Sequence, residues 1–448
     1  MILNIRNQFL FFSAVLLVLS TCEEGPSLEK PFKKQTPREA YVQALEDSGL
    51  GDTRMVEAWQ QAGRSALEDS TFINGPFRET GHFRAEAPEA AAFRFELQAG
   101  ERMQIRLDRK PSTVKLFVDL FRIELTDSTA NYQPALSTDA SSLDSLSYEP
   151  EDPGRFVLRL QPELLADCRY TIELLQQPAY GFFPVSSKGN TDIWSFFGDP
   201  RDAGRRRHEG IDIFARRGTP VVAVTEGIVR TRNRGLGGKQ VWLRDQRRRQ
   251  SIYYAHLDSQ LVETGAIVRP GDTIGWVGNT GNAAGTSPHL HFGIYRWNYG
   301  AVDPQPYVAR LPDDLPELRA DTSLLGQLGR ILVSPARLQS APAFQAETRQ
   351  VLSRHLPLRI EAASGRWYRV RLPDGEMGYV AANQIETADR PLRQLAIDST
   401  REMLIEPLPA AMPLTTLGSD TSVEVLGQAG DFQLVRAPGG LTGWLLRD

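Results

Sequence analysis

Pro288-His289-Leu290-His291-Phe292-Gly293-Ile294-Tyr295 is the stretch on which the fold turns. It reads as a strand, and on a strand residues i and i+2 share a face, so both imidazoles look into one cavity. Two segments upstream supply matching chemistry: Tyr254-Ala255-His256-Leu257 and His208-Glu209-Gly210-Ile211-Asp212. Four of the six histidines therefore fall between positions 208 and 291. Two His and one Asp suit a catalytic zinc site, which keeps three protein ligands and leaves one position for water. The other two His are what such a site needs nearby for proton transfer. No Cys lies in this window, which excludes thiolate sites and favours one Zn2+ over iron or another first-row ion. A fourth protein ligand would make the site structural instead, and the residues alone leave that alternative open. His208 and Asp212 would stand about 13 Å apart on a straight strand, too far to share one ion. Gly210 between them is expected to permit the bend that brings them together.

Around this cluster, the segment from Gly181 to Arg310 is glycine-rich and β-patterned. It carries 18 Lys/Arg against 11 Asp/Glu in a chain whose net charge is −4. Two basic runs, Arg205-Arg206-Arg207 and Arg247-Arg248-Arg249, read either as solvated loops or as a rim for an anionic polymer or membrane surface. The first run, just before His208, is placed at the cleft. Both are short and no nucleic-acid-binding motif accompanies them, so nucleic acid is not an expected partner.

With 448 residues, 41% hydrophobic and 24% charged, the chain is soluble in composition and too long for one core. Two cysteines, Cys22 and Cys168, exclude a disulfide framework. Met1 to Cys22 has Arg6 and then an apolar run from Phe9 to Leu19, too short for a membrane span and suited to a secretory signal. Leu19-Ser20-Thr21-Cys22 resembles a bacterial lipoprotein box, with Thr21 departing from the usual Gly, Ala or Ser. That resemblance implies lipidation at Cys22 and export to the cell envelope, at the outer membrane or periplasm. Cys168 is then a lone, buried thiol.

The expected fold is mainly β and multidomain. After a linker (23–37), Tyr41, Val42, Leu45 and Met55, Ala58, Trp59, Ala62 recur at helical spacing, which predicts a short helical segment in two pieces over 38–70. Alternating runs at Ala92–Leu97, Met103–Leu107, Val114–Val118, Phe156–Leu160 and Tyr170–Leu174 predict a jelly-roll-like β-sandwich over 71–178. Gln98-Ala99-Gly100-Glu101 reads as a turn within it, and Ser/Asp-rich Thr126 to Asp152 as an exposed loop. An antiparallel β-sheet domain carrying the His cluster follows over 179–312, then an acidic linker (313–325).

The C-terminus contains an internal repeat at a 65-residue offset. Gly365, Val370, Arg371, Pro373, Gly375 and Gly378 match Gly430, Val435, Arg436, Pro438, Gly440 and Gly443 without a gap. The units, 326–388 and 389–448, resemble tandem bacterial SH3-like domains, which implies two small β-barrels. The second has Phe432-Gln433 where Trp-Tyr is usual.

Finally, Gly198-Asp-Pro-Arg, His208-Glu-Gly-Ile-Asp212, Gly218-Thr-Pro-Val-Val-Ala, Tyr254-Ala-His256-Leu, Val268-Arg-Pro-Gly271-Asp-Thr-Ile-Gly275 and Pro288-His-Leu-His-Phe-Gly occur together and in order. In combination they resemble the lysostaphin/LytM-type zinc endopeptidases over roughly 120 residues. The resemblance implies His208, Asp212 and His291 as zinc ligands and His256 and His289 as catalytic residues. It implies cleavage of peptide bonds in peptidoglycan. Tyr254 is a candidate for hydrogen bonding to substrate, with packing in a strand as its other reading. The rival function is a non-catalytic envelope scaffold or activator of cell-wall amidases that keeps the same fold.

Overall fold

The computed structural model describes residues 35–126, 129–139, 145–201 and 203–447. Cys22 and the expected signal segment lie outside the described residues. Among these residues no helix is long and apolar enough to cross a membrane.

Two helices, Pro37–Asp47 and Arg54–Glu68, open the described chain. Thr36 and Glu39 form a reciprocal capping box at the first, with Pro37 in its opening turn. Thr53 caps the second. The helices lie on the sandwich. Trp59 is buried in an aromatic group with Tyr41 and Phe117, its Nε1 donating to the Pro162 carbonyl at 2.7 Å.

The sandwich has two antiparallel faces. One runs, by hydrogen-bonded neighbours, Ala91–Leu97, Gly154–Pro162, Leu116–Thr126, Thr129–Asp139. The other runs Phe77–Phe83, Cys168–Pro178, Glu101–Lys110, Ser145–Tyr148. Phe93, Phe95 and Leu158 from the first meet Ile105, Ile172 and Leu174 from the second in one core. The Thr126–Asp152 region, expected as a loop, holds two strands, Thr129–Asp139 and Ser145–Tyr148. The first is mostly exposed or half-buried, so backbone pairing with Leu116–Thr126 holds it. Without a buried face it has no apolar alternation to read. Cys168 is buried, and burial pushes its thiol up to about 11.

The central domain is built on an antiparallel sheet in the order Ile193–Ser195, Ile211–Phe214, His289–Arg296, Gln250–Gln260, Lys239–Asp245, Gly227–Arg232, Ile267–Val268. Val241, Leu243, Ile252, Tyr254, Phe292 and Ile294 form its core with Ile211 and Ile213. It is fastened to the sandwich by Arg248, which is bidentate to Glu149 at 2.6 and 2.8 Å, and by Arg296 on Asp152 at 2.9 Å. The run Arg247–Arg249 thus contributes a half-buried clamp at Arg248, neither a solvated loop nor an anion-attracting rim there.

The two C-terminal units repeat one strand order. In the first it is Thr348–Leu352, Ala336–Gln339, Met377–Ala381, Trp367–Arg371, Pro357–Ser364, Leu328–Ile331, with Ile385–Thr387 added at the end. In the second it is Pro413–Leu417, Arg401–Leu404, Thr442–Leu446, Phe432–Arg436, Ser422–Ala429, Arg393–Ala396. Gly378 and Gly443 do the same job in each. An added Cβ would meet Leu338 Cγ at 2.6 Å and Met403 Cγ at 2.7 Å respectively. The end strands do not pair with one another among the described residues, so the units are open sheets where closed barrels were expected.

The first unit is not a free appendage. Its Pro357–Ser364 strand pairs with Phe77–Phe83 of the sandwich, Thr80 opposite Ala363 and Gly81 opposite Ala362. At this junction Glu79 is 0% exposed. It meets Arg369 at 3.1 Å and accepts hydrogen bonds from Tyr170 at 2.9 Å and Tyr379 at 2.8 Å. Such a buried charge is tolerable only with its partners in place.

Candidate metal centre

The Ile211–Phe214 strand lies against His289–Arg296 with Asp212 opposite His291 and Phe214 opposite His289. Ala255 faces His291 from the other side. This register brings three donor atoms together. His208 Nε2 and His291 Nδ1 are 2.9 Å apart, and each lies 3.0 Å from Asp212 Oδ1. These three residues form a group that could hold a metal ion. The 13 Å separation of a straight strand does not arise, because the strand begins only at Ile211. His208 stands before it, in a segment that pairs back through Gly198 N to His208 O and His208 N to Asp199 O.

Gly210 is indeed required, for a different reason than a bend. Its backbone is outside the left-handed region. A Cβ there would meet the Phe292 carbonyl at 2.5 Å and the His291 ring at 2.8 and 2.9 Å. The position demands space.

His208 Nδ1 lies 2.9 Å from the Phe196 carbonyl. Nδ1–H donates there, so Nε2 is the nitrogen that faces Asp212 and His291. Two imidazole nitrogens and one carboxylate oxygen crowd a triangle of about 3 Å sides, the donor set of an open zinc site. Burial acts to raise the Asp212 pKa, but hydrogen bonds from His208 and His291, and their charge, hold the carboxyl far below the usual range. Burial lowers the His291 pKa, which favours the neutral imidazole that a metal needs.

The other two histidines are locked in the same sense. His256 Nδ1 lies 2.8 Å from the Thr280 carbonyl, and His289 Nδ1 lies 2.8 Å from the Ser287 carbonyl. Each is thereby left with Nε2 as the free ring nitrogen. Their ring centroids are 5.1 Å apart, and His256 is 5.9 Å from His291. Burial is the main cause that brings the His256 pKa down to about 4.

His256 reaches this face through a local irregularity. Lys239 pairs with Leu257 and Val241 with Tyr254, so the His256 strand carries one extra residue there, and His256 has φ +62°. Such a bulge re-aims a side chain, and left-handed backbone at a non-glycine residue is stored strain of a kind that gathers at functional sites. Tyr254 therefore does not share the face of His256. It is fully buried, packs edge-on to Phe292, and its hydroxyl accepts from Val224 N at 3.1 Å. Tyr254 is a core residue here, and its expected contact with substrate is corrected. Its neighbour Tyr253 instead stands edge-on to His291 at 5.6 Å, backed by Trp242 at 4.4 Å.

A second bulge, between Ile193 and Ser195, places Trp194 outward. It is 68% exposed and stacks on Phe214 at 4.9 Å, which in turn stacks on His289 at 5.0 Å. Arg201 completes the site. Its Nη2 donates to Asp212 Oδ2 at 2.7 Å and to Ser195 Oγ at 2.6 Å. Sequence reasoning assigned no role to Arg201, Tyr253, Trp194 or Phe214. Arg201 alone had a signal, its place in Gly198-Asp199-Pro200-Arg201. Of the first basic run, Arg206 and Arg207 pair with Pro200–Arg201 and are exposed immediately before His208.

The segment that carries this site is also the part of the chain that is similar to known proteins. Residues 206–304 match peptidase family M23. An L-Ala–D-Glu endopeptidase of Bacillus subtilis is 39% identical over 139 residues, covering 28% of this chain and 42% of that protein. Lysostaphin of Staphylococcus staphylolyticus is 38% identical over 107 residues, covering 22% of each. The solved catalytic domain of lysostaphin from Staphylococcus simulans is 33% identical and covers 25% of this chain and 88% of that one, with a TM-score of 0.23. The chain thus spans about two fifths of the first relative and about a fifth of the second. Within this longer chain, residues 206–304 are a peptidase family M23 domain with lysostaphin-type relatives.

Proposed function

We propose that the chain is a zinc endopeptidase that hydrolyses peptide bonds in peptidoglycan cross-links or stem peptides at the bacterial cell envelope. The observation that carries this reading is the triangle of His208 Nε2, His291 Nδ1 and Asp212 Oδ1, flanked by two histidines with free Nε2 atoms. His208, Asp212 and His291 would hold one Zn2+. When bound, the ion activates water and polarises a carbonyl at neutral pH. His256 and His289 divide the remaining work: taking up a proton at Nε2, returning it to the leaving amine, and donating to the developing oxyanion. Phe214 holds the His289 ring flat against its own, and Arg201 fixes the carboxylate of Asp212. The open face of Trp194 supports an apolar part of the substrate beside the centre.

The printed activities of the relatives, an L-Ala–D-Glu endopeptidase and lysostaphin, support peptidoglycan as the substrate class. The sandwich serves as a spacer and the C-terminal pair as a wall-docking element. Lipidation at Cys22 would tether the whole to a membrane. The test is incubation of the full chain with purified peptidoglycan and mass spectrometry of what is released. Peptide fragments are expected, and they should vanish on chelation and in His208→Ala and Asp212→Ala. A chain that holds zinc stoichiometrically and releases nothing is a scaffold or amidase activator, and the proposal fails.

A further inference from the structure

The first C-terminal unit contains a cavity of about 600 Å³ that the proposed reaction does not use. Its floor is the indole of Trp367, buried at 6% exposure. Phe344, 68% exposed, stands over it edge-on with ring centroids 4.8 Å apart. Three arginines, Arg319, Arg337 and Arg366, line the walls, and no carboxylate does. Arg319 is paired with exposed Glu317 at 3.1 Å. Arg337 and Arg366 are exposed and make no ion pair among the described residues. An aromatic floor with two uncommitted guanidinium forks suits a ligand that has a compact apolar body and a planar anionic end.

The repeat provides an internal comparison. At the 65-residue offset, Arg337 corresponds to Glu402, Arg366 to Asp431, Trp367 to Phe432 and Phe344 to Pro409. The strands that carry them pair in the same register, Ala336 with Leu352 and Arg401 with Leu417. The backbone is thus duplicated while the charge at two positions is inverted and the aromatic clamp is lost. Scaffold geometry alone does not require arginine or tryptophan there. The cavity chemistry is a property of the first copy.

We propose that this cavity binds a peptide end bearing a free carboxylate, with its aliphatic side chain lying against the joined rings of Phe344 and Trp367 and its carboxylate on Arg337 and Arg366. Concave shape and aromatic walls favour one discrete peptide end over an extended anionic polymer. That the peptide is a wall stem rests on the peptidoglycan reading. The pocket chemistry does not depend on it, so binding and turnover are measured separately.

The probe is acetyl-lysyl-D-alanyl-D-alanine with a free carboxylate, titrated calorimetrically into the full chain carrying His289→Ala, so that nothing is cut. Its C-terminal amide and inorganic phosphate are run alongside. The free acid is expected to bind at least about tenfold more tightly than the amide, and Arg337→Gln with Arg366→Gln to remove that preference. Both side chains are exposed, and an unchanged thermal melt will show that these variants fold. Trp367→Phe should weaken acid and amide alike. Equal binding of acid and amide, or an unaltered acid preference in the double glutamine variant, overturns the proposal. So does phosphate competing as strongly as the peptide acid, since the site would then be a simple anion site. Hydrolysis by the chain with His289 intact is read separately, so its absence would count against the enzyme reading and leave the binding result standing.

Discussion

Gly210→Ala is the smallest change with the largest expected consequence. A Cβ at this position would sit 2.5 Å from the Phe292 carbonyl and 2.8 Å from Cε1 of His291. Backbone cannot rotate away, so the Gly210 segment and the Phe292 strand must separate by about 0.9 Å to restore the 3.4 Å of ordinary contact. Ligand positions in a working metal site tolerate only about 0.2 Å, and the donor triangle is about 3 Å on a side. Overpacking of this kind costs about 1–3 kcal/mol of stability. The displaced His291 should weaken zinc by about 10–100-fold, and misalignment near 1 Å should cost about 100-fold in turnover. The assays are chelator competition for zinc, a thermal melt, and release of soluble peptides from walls. Were the variant to keep wild-type zinc affinity and full turnover, the close approach of Gly210 to His291 would not be what the site depends on.

Two further outcomes follow from the same geometry. Tyr254→Phe should leave kcat/KM unchanged but destabilise the fold by about 1–2 kcal/mol in denaturant melts, because Val224 N–H loses its buried acceptor. A KM rise without loss of stability would return Tyr254 to the substrate. For His256, the folded pKa of about 4 lies below the ordinary imidazole value of 6.5. The unfolded chain therefore takes up a proton near pH 6.5 that the folded chain refuses until about pH 4. Metal-free protein should lose on the order of 3 kcal/mol through this group as pH falls across that window. Asparagine tolerates φ near +60° and does not titrate, so His256→Asn should show a shallower loss, and parallel stability–pH curves would refute the assignment.

What the sequence revealed and what it hid divide along physical lines. His289 and His291 were readable because strand periodicity is strict and their strand has no irregularity between them. The helices were readable from the apolar spacing around Leu45 and Trp59. Tyr254 had two readings, substrate contact or strand packing, and what decides between them is one extra residue and a left-handed φ that put it on the opposite face from His256. No local pattern announces such a bulge. Thr129–Asp139 was hidden because a strand without a buried face has no alternation to show. Arg201 and Trp194 were hidden because their roles are made by partners in other segments, Asp212 and Phe214.

Glu79 and Tyr379, which seal the junction between the sandwich and the first repeat, are 300 residues apart in the chain. During synthesis from the N-terminus, Phe77–Phe83 emerges long before the Pro357–Ser364 strand that covers its open flank. Until then it is an unprotected edge beside a carboxylate awaiting Arg369, the kind of surface that recruits wrong partners. Closing so wide a loop is slow. Maturation of the N-terminal half is thereby made to wait for the far end of the polypeptide. Truncation after the catalytic segment would leave Glu79 without Arg369 and Tyr379 and a strand still seeking a mate.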